Sequence, residues 1–403
     1  MTRVAMLVWN EFLNDARVLK EAQTLQGAGY LVTIFALHKP GLTEEQQVLP
    51  DGIQILRVPR SPLSRWGRPT MAAASGGPIG RLGVGKQLLR IVGRLWAHGV
   101  LLGRMTLHKA DVVHAHDVNV LPTAWLVAKL SGARIIYDAH EISTSREGYS
   151  SFRKLVGVVE RFLMPRVQGS ITTTDARAKF FARAYGVERP IVLQNRPRYQ
   201  VANISTRIRD ELQLEQPWPI VVYQGGVQQG RGLERLVRVA ALVPNAYFVF
   251  IGGGRLDASL RSIAAELGLE ERVRFIPTVA LAELPSYTAS ADIGVQPIEN
   301  TCLNHFTTDS NKLFEYVQAG LPVVASDLPE IRRVVRTHDL GLLVRPGDTE
   351  ALAVALRSLV NDVVKRQFYA GQSRHASAVL SWEAQEADLL ELYRQVLGAR
   401  RTG

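Results

Sequence analysis

The 403-residue sequence predicts an α/β fold with parallel sheets, built as two successive halves. Three observations predict it. Short apolar runs alternate with helical stretches along the whole chain, the βαβ pattern of parallel sheets. Most of these runs are continuously apolar, as in strands buried on both faces. The alternation breaks once, at a polar stretch from Asn203 to Gln216, and Pro217-Trp-Pro219 then opens a new series.

The first series places strands at Val4–Val8, Val32–Phe35, Ile53–Val58, Val112–His116, Arg134–Asp138, Ser170–Thr173 and Ile191–Leu193. The second places them at Ile220–Tyr223, Phe248–Ile251, Val273–Phe275, Ile293–Val295, Val323–Ala325 and Leu342–Val344. Helical spacing fills the intervals. From Asp15 to Gln26, Val18, Leu19, Ala22 and Leu25 share one face, and Gly27 and Gly29 supply the stop. The linker falls near residues 196–200, giving domains 1–198 and 199–382. Residues 383–403 form an amphipathic C-terminal helix, which either returns to the first domain or packs on its own.

Composition fits an ordinary globular protein with two cores, at 46% hydrophobic and 21% charged residues. The single cysteine, Cys302, excludes an intramolecular disulfide and points to a reducing, cytoplasmic compartment. Asn10 and Glu11 interrupt the first apolar run, which reads as a core strand and not a signal peptide. No apolar run reaches the roughly 18 residues of a membrane span. The net charge of +11 favours polyanionic partners. From Gly52 to Ala110 there is no acidic residue, while Arg57, Arg60, Arg65, Arg68, Arg81, Lys86, Arg90, Arg94, Arg104 and Lys109 crowd the same stretch. Its segment from Leu82 to Leu107 mixes these cations with apolar residues, a pattern that suits the headgroup layer of an anionic bilayer or an ordinary core helix with solvated arginines. Only Trp66 and Trp96 offer stacking platforms there, so no nucleic-acid partner is expected.

Four motifs carry candidate chemistry. In Tyr223-Gln-Gly225-Gly226-Val-Gln-Gln-Gly230-Arg231-Gly232, a buried strand runs into glycines, an arginine and a helix. Glycines admit a ligand close to the backbone, free N–H groups at a helix start bind phosphate, and Arg231 adds a forked donor. The same pattern also serves as a plain strand–helix turn. In Asn311-Lys312-Leu-Phe-Glu315, the cation and the carboxylate share a helix face, either as a surface pair or for phosphate and ribose. In Tyr137-Asp138-Ala-His140-Glu141 and His114-Ala-His116-Asp117, polar groups follow apolar strands, where ligands bind in open α/β sheets. Neither a cysteine nor a carboxylate cluster completes a zinc pattern around the histidines, and no Asp-x-Asp occurs, so no metal is expected. In Asn14-Asp15-Ala-Arg17, Asp15 reads first as a helix cap.

These motifs, in this order and spacing, resemble the GT-B-fold glycosyltransferases of family 4 over nearly the full chain. To the four above are added Leu193-Gln-Asn195-Arg-Pro197, Ile251-Gly-Gly253-Gly254, Ala291-Asp292-Ile-Gly-Val and the run through Pro322. The resemblance implies two Rossmann-like domains facing across a cleft, retention of anomeric configuration and no metal cofactor. It implies a donor held by the C-terminal domain and an acceptor held by the N-terminal one. Arg231, Lys312 and His140 would then be catalytic. Gly225, Gly226, Gly253, Asn311 and Glu315 would bind the donor, and Asn14, Asp15, Arg17 and His116 would lie on the acceptor side. Three departures stand out. Gly226 occupies the place of the usual first phosphate cation, Thr307 that of a glutamate paired with Glu315, and Trp9-Asn-Glu-Phe-Leu-Asn14 that of a Gly-Gly loop.

The expected reaction is glycosyl transfer from a nucleoside diphosphate sugar, UDP-linked before GDP-linked, to a hydroxyl-bearing glycan or lipid-linked acceptor. Polysaccharide, glycolipid or cell-envelope glycan synthesis is the expected setting, on the inner face of a membrane. The rival readings are a nucleotide-sugar epimerase of the same fold and a non-catalytic nucleotide-sugar-binding protein, which the missing carboxylate at Thr307 would suit.

Overall fold

The computed structural model describes residues 1–62, 84–146, 153–201 and 204–398. Arg65, Trp66, Arg68, Arg81 and Leu82 of the basic segment therefore lie outside the described residues, as does Asn203 of the polar stretch. The chain divides into two compact units, Met1–Leu193 with Glu386–Gly403, and Gln194–Gln385.

The first unit is an eight-stranded sheet: β1 (Arg3–Leu7), β2 (Leu31–His38), β3 (Gln46–Val48), β4 (Gln54–Pro59), β5 (Val112–His116), β6 (Arg134–Ala139), β7 (Gly169–Thr172) and β8 (Ile191–Val192). The order is β3-β4-β2-β1-β5-β6-β7-β8, parallel except for β3. Sequence reading missed β3, because its exposed Gln46, Gln47 and Val48 carry no apolar run. The helices are α1 (Ala16–Gly27), α2 (Val84–His108), α3 (Leu121–Ser131), α4 (Arg153–Leu163) and α5 (Asp175–Tyr185). Asp15 caps α1 by accepting the Val18 N–H, and Thr174 does the same for Arg177 before α5.

Strand alternation divides the unit's interior. Ala5, Leu7, Phe35, Val113, Ala115, Ile135 and Tyr137 point to one face, against Leu101 and Met105 of α2 and Leu121 and Ala124 of α3. Burying each such side chain contributes about 1.5–3 kcal/mol. The alternate positions, His114 and His116 of β5 and Ile136 and Asp138 of β6, share the opposite face.

The second unit has six parallel strands: β9 (Ile220–Gln224), β10 (Tyr247–Ile251), β11 (Val273–Ile276), β12 (Ile293–Gln296), β13 (Val323–Ser326) and β14 (Gly341–Val344). Their order, β11-β10-β9-β12-β13-β14, reverses direction between β9 and β12. In doubly wound sheets, the carboxyl ends at such a switch point form the ligand crevice. The helices are α6 (Arg207–Leu212), α7 (Leu233–Leu242), α8 (Asp257–Glu266), α9 (Leu284–Thr288), α10 (Leu303–Phe306), α11 (Asn311–Gln318), α12 (Pro329–Thr337), α13 (Thr349–Asn361) and α14 (Val363–Ala376). Val221, Tyr223, Phe248 and Phe250 face α7 and α8, while Ile220, Val222, Tyr247 and Val249 face α11.

The unit boundaries differ by a few residues from the expected 198/199 and 382/383. Gln385 closes both ends of the second unit: its Oε1 accepts the Gln194 N–H at 3.0 Å and its Nε2 donates to the Gln194 carbonyl at 2.6 Å. The Trp382 N–H also bonds the Pro197 carbonyl at 2.8 Å.

The last helix, α15 (Glu386–Gly398), belongs to the first unit. Gly169 of β7 lets it approach, since a Cβ there would lie 2.9 Å from Val396 and 3.1 Å from Leu392. The Thr24 hydroxyl donates to Glu386 at 2.7 Å, and the Tyr393 hydroxyl lies 2.9 Å from His114 Nδ1.

Candidate active site

In the second unit, strand β9 delivers Gln224 to the switch point and the glycine turn begins there. Gly225 has φ +109, and its N–H bonds the Ile251 carbonyl at 2.8 Å. The Val227 N–H bonds the Gly253 carbonyl at 3.1 Å. Two loops thus run backbone against backbone. A Cβ on Gly252 would stand 2.2 Å from the Gly225 carbonyl oxygen, and one on Gly254 would stand 2.1 Å from that of Val227. Gly232, with φ +71, caps the following helix α7 and would meet the Pro297 carbonyl at 2.1 Å if it carried a Cβ. These contacts, and not flexibility, require glycine at 252, 254 and 232.

Two cations flank the turn. A Cβ on Gly225 would lie 2.9 Å from Lys312 Nζ, so the ammonium rests against the space that this glycine leaves. Neither Lys312 nor Arg231 makes an ion pair with a described residue. Burial, reinforced by the charge of Arg231 and opposed by that of Glu315, lowers the Lys312 pKa to about 8. One turn on from Lys312, Glu315 Oε2 accepts a hydrogen bond from Gln224 Nε2 at 2.6 Å, and the Thr288 hydroxyl donates to Gln224 Oε1 at 2.8 Å. Gln224 thereby fixes the carboxylate, a partner that residue spacing did not announce. Asn311 opens α11 and is exposed. Gly226 and Gly253 are exposed at the turn. Thr307 turns inward and donates to the Leu303 carbonyl at 2.7 Å. Gln296, at the end of β12 on the α11 side, is fully buried, and neither amide atom has a hydrogen-bond partner among the described residues.

In the first unit, the face opposite the apolar core gathers a polar network. His116 pairs with Asp138 in the β5–β6 register, and α1 lays Arg17 and Glu21, four residues apart, over that face. Arg17 Nε and Nη2 grip the two Asp138 oxygens at 2.8 and 2.9 Å, and Nη1 donates to the Leu193 carbonyl at 2.7 Å. His140 Nε2 lies 2.9 Å from Asp138 Oδ2. Burial opposes protonation of His140, but the charges of Asp138 and Asp117 overcome it and push its pKa up to about 9. Burial would raise the pKa of Asp138, yet Arg17 and His140 hold it well below the usual carboxylate range. Glu21 is pushed well up by burial and by the charge of Asp138.

Of the expected acceptor-side residues, Arg17 and His116 are only 3% and 2% exposed: the Arg17 guanidinium is engaged by Asp138 and Leu193, and His116 Nδ1 faces Asp138 and His140 while its Nε2 has no hydrogen-bond partner among the described residues. Asp15 is occupied as the α1 cap and by the Asn10 amide at 2.8 Å. Asn14 is exposed. The structure also supplies the carboxylates that sequence reading did not find near the histidines. Glu21, His114, His116 and Asp138 each bring a ligand atom within 4.8 Å of the others. The set suits a cation poorly. Asp138 is already engaged by Arg17 and His140, and the Arg17 guanidinium also lies 3.2 Å from Glu21, so a further cation there would meet that charge. Its signal was in the sequence, in the His-Ala-His and Asp-Ala-His alternation and in the Arg17/Glu21 spacing.

The two units, each with a mainly parallel, doubly wound sheet, define a two-unit α/β class of protein. Comparison with known proteins gives the family. Residues 15–195 match the family described as glycosyl transferase 4-like domain, and residues 218–362 match glycosyl transferases group 1. The chain belongs to the family 4 glycosyltransferases of GT-B fold. It is 24% identical to the D-inositol 3-phosphate glycosyltransferase of Corynebacterium urealyticum, over 93% of this chain and 88% of that one. It is 25% identical to the phosphatidyl-myo-inositol mannosyltransferase of Mycobacterium tuberculosis, over 96% and 93%. Among solved structures, sucrose-phosphate synthase of Thermosynechococcus elongatus superposes with TM-score 0.77, at 18% identity over 99% and 100%. Anabaena Alr3699/HepE in complex with UDP gives 0.73, at 16% identity over 98% and 99%.

Proposed function

We propose that this glycosyltransferase moves a sugar from a nucleoside diphosphate sugar, UDP-linked before GDP-linked, to a hydroxyl acceptor with retention. The observation that carries the reading is the Lys312 ammonium set against Gly225, beside a Glu315 carboxylate that Gln224 holds in place. The carboxylate would take the ribose hydroxyls. Lys312, Arg231 and the turn's N–H groups would take the diphosphate, where negative charge grows as the sugar leaves. The bond from anomeric carbon to phosphate oxygen breaks, and the acceptor oxygen bonds the same face. Its proton passes to the departing phosphate. Lys312 would stand in for the cation absent at Gly226. His140 would lie beside the donor sugar. No side chain serves as nucleophile and no metal is required.

The inositol-phosphate and phosphatidylinositol relatives support a phosphorylated or lipid-linked acceptor in cell-envelope glycan synthesis. A UDP complex of a fold neighbour supports UDP. Membrane contact would run through α2. Leu88, Leu89, Ile91, Val92 and Leu95 there are 51–67% exposed, with Arg90 among them, although Leu101 and Met105 of the same helix are core. Among the described residues, no helix is long and apolar enough to cross a membrane. Part of the basic segment is structural: Arg57 is buried and donates to the Glu11 and Glu44 carbonyls at 3.0 Å each. The enzyme would thus rest on the cytoplasmic leaflet. The test is a panel of UDP- and GDP-sugars, followed by thermal shift and by nucleoside diphosphate release. UDP-sugars should raise Tm and yield UDP; no response to any nucleotide sugar overturns the reading.

A further inference from the structure

His140 is the member of the first unit's polar network whose side chain reaches solvent, at 21% exposure, while Asp138 and Arg17 beneath it are buried. Both ends of the residue are fixed. Its carbonyl accepts from Arg177 Nη1 at 2.6 Å and from the Thr173 hydroxyl at 3.3 Å. Its ring gives Nε2 to Asp138 Oδ2 at 2.9 Å. Asp138 in turn cannot rotate, because the two-pronged Arg17 contact sets the plane of its carboxylate. The other ring nitrogen, Nδ1, is 3.9 Å from Asp117 Oδ2, too far for a hydrogen bond.

We propose that Asp138, locked by Arg17, is a positioning residue for His140: it binds Nε2–H and presents Nδ1–H as a donor to an oxygen of the sugar-phosphate substrate. An imidazole bonded to a buried carboxylate is fixed in tautomer and orientation, and its charged form is stabilised. Asp138 touches no substrate itself. The inference rests on the reading that His140 lies beside the donor sugar. The charged and titratable groups around His140 come from every neighbouring element. These are Asp138 on its own strand, His116 and Asp117 from β5 and its loop, and Arg17, Glu21 and Asp15 from α1 and its cap. Arg146, 3.1 Å from Asp117, and Arg177 from α5 complete the set. The two carboxylates nearest the ring outweigh the cations, so the donor form persists above neutrality and is lost as pH rises through the His140 pKa.

The experiment compares wild type, D138N, H140A and D138N/H140A by kcat, donor KM and pH profile, and measures the His140 pKa in the folded wild-type enzyme by NMR. D138N should lose about a hundredfold in kcat with little change in donor KM, and its alkaline limb should move to lower pH. The double variant should be no slower than H140A. A native His140 pKa at or below that of an exposed histidine overturns the proposal, and this outcome needs no variant to fold. So does a double variant much slower than H140A, which would give Asp138 a role outside His140. H140A with wild-type turnover instead sinks the placement of His140 beside the sugar, and the proposal falls with it.

Discussion

The Lys312 ammonium lies 5.5 Å from the centroid of the Tyr223 ring, over a strand end that continues into the glycine turn. Ring and burial both disfavour hydration of the charge, so the cation is held with little competition from water. With its pKa lowered to about 8, Lys312 is charged below that pH and neutral above it. UDP affinity should therefore be level on the acid side and fall as pH rises through 8, by about ten- to a hundredfold for one charge-assisted hydrogen bond. K312R, which stays cationic, should remove the pH dependence. Titration calorimetry between pH 6.5 and 9.5 checks both; an affinity level across that range would mean that Lys312 does not meet phosphate.

Glu315→Ala should weaken UDP binding by about 1.5–3 kcal/mol while leaving thermal unfolding nearly unchanged. The carboxylate is held by one side chain, Gln224, and is not part of the core. Q224A should reproduce part of the loss by freeing the carboxylate to rotate. An unchanged nucleotide dissociation constant for E315A would remove the ribose assignment.

Arg231→Ala should lower turnover more than it weakens binding of UMP. The guanidinium is expected to act on charge that grows as the diphosphate departs. The comparison is kcat against the UMP dissociation constant. Normal turnover would leave Lys312 and the turn's amides as the sole stabilisers.

Activity should survive excess EDTA. In the first unit, Asp138 is engaged by Arg17 and His140 and Glu21 lies 3.2 Å from Arg17, and the second unit offers Arg231 and Lys312 to the diphosphate. Loss of activity with rescue by magnesium or manganese would contradict this.

The enzyme should co-sediment at low salt with liposomes containing anionic lipid, and release at high salt. Each cation at such a surface contributes about 1 kcal/mol. The double substitution L88E/L95E should abolish binding without touching the core, because both side chains are exposed. Equal binding to neutral vesicles would exclude an electrostatic surface contact.

Parallel strands are legible because burial on both faces leaves a continuous apolar run. Hence all thirteen expected strands, from Val4–Val8 to Leu342–Val344, reappear, within one residue at each end except β2, which runs on past Phe35 to His38, while the polar edge strand Gln46–Val48 does not announce itself. The glycine turn was legible for a similar reason, since backbone contact at Gly252 and Gly254 admits no side chain. Partnerships between distant side chains were not. Nothing in residue spacing joins Gln224 to Glu315, or Arg17 to Asp138 across 121 positions. Residue spacing therefore gave no sign that Arg17 is buried and braces Asp138.

The return of α15 to the first unit makes that unit discontinuous along the chain. Its sheet is translated first, yet the helix that covers Gly169 and meets His114 through Tyr393 is translated only after the whole of the second unit. Folding during synthesis therefore cannot finish in the order in which the domains emerge. The second unit has all its segments contiguous and can close early. The first must wait with the α15 side of its sheet unsealed, and that interval is when a nascent chain of this enzyme is most exposed to chaperones and proteases.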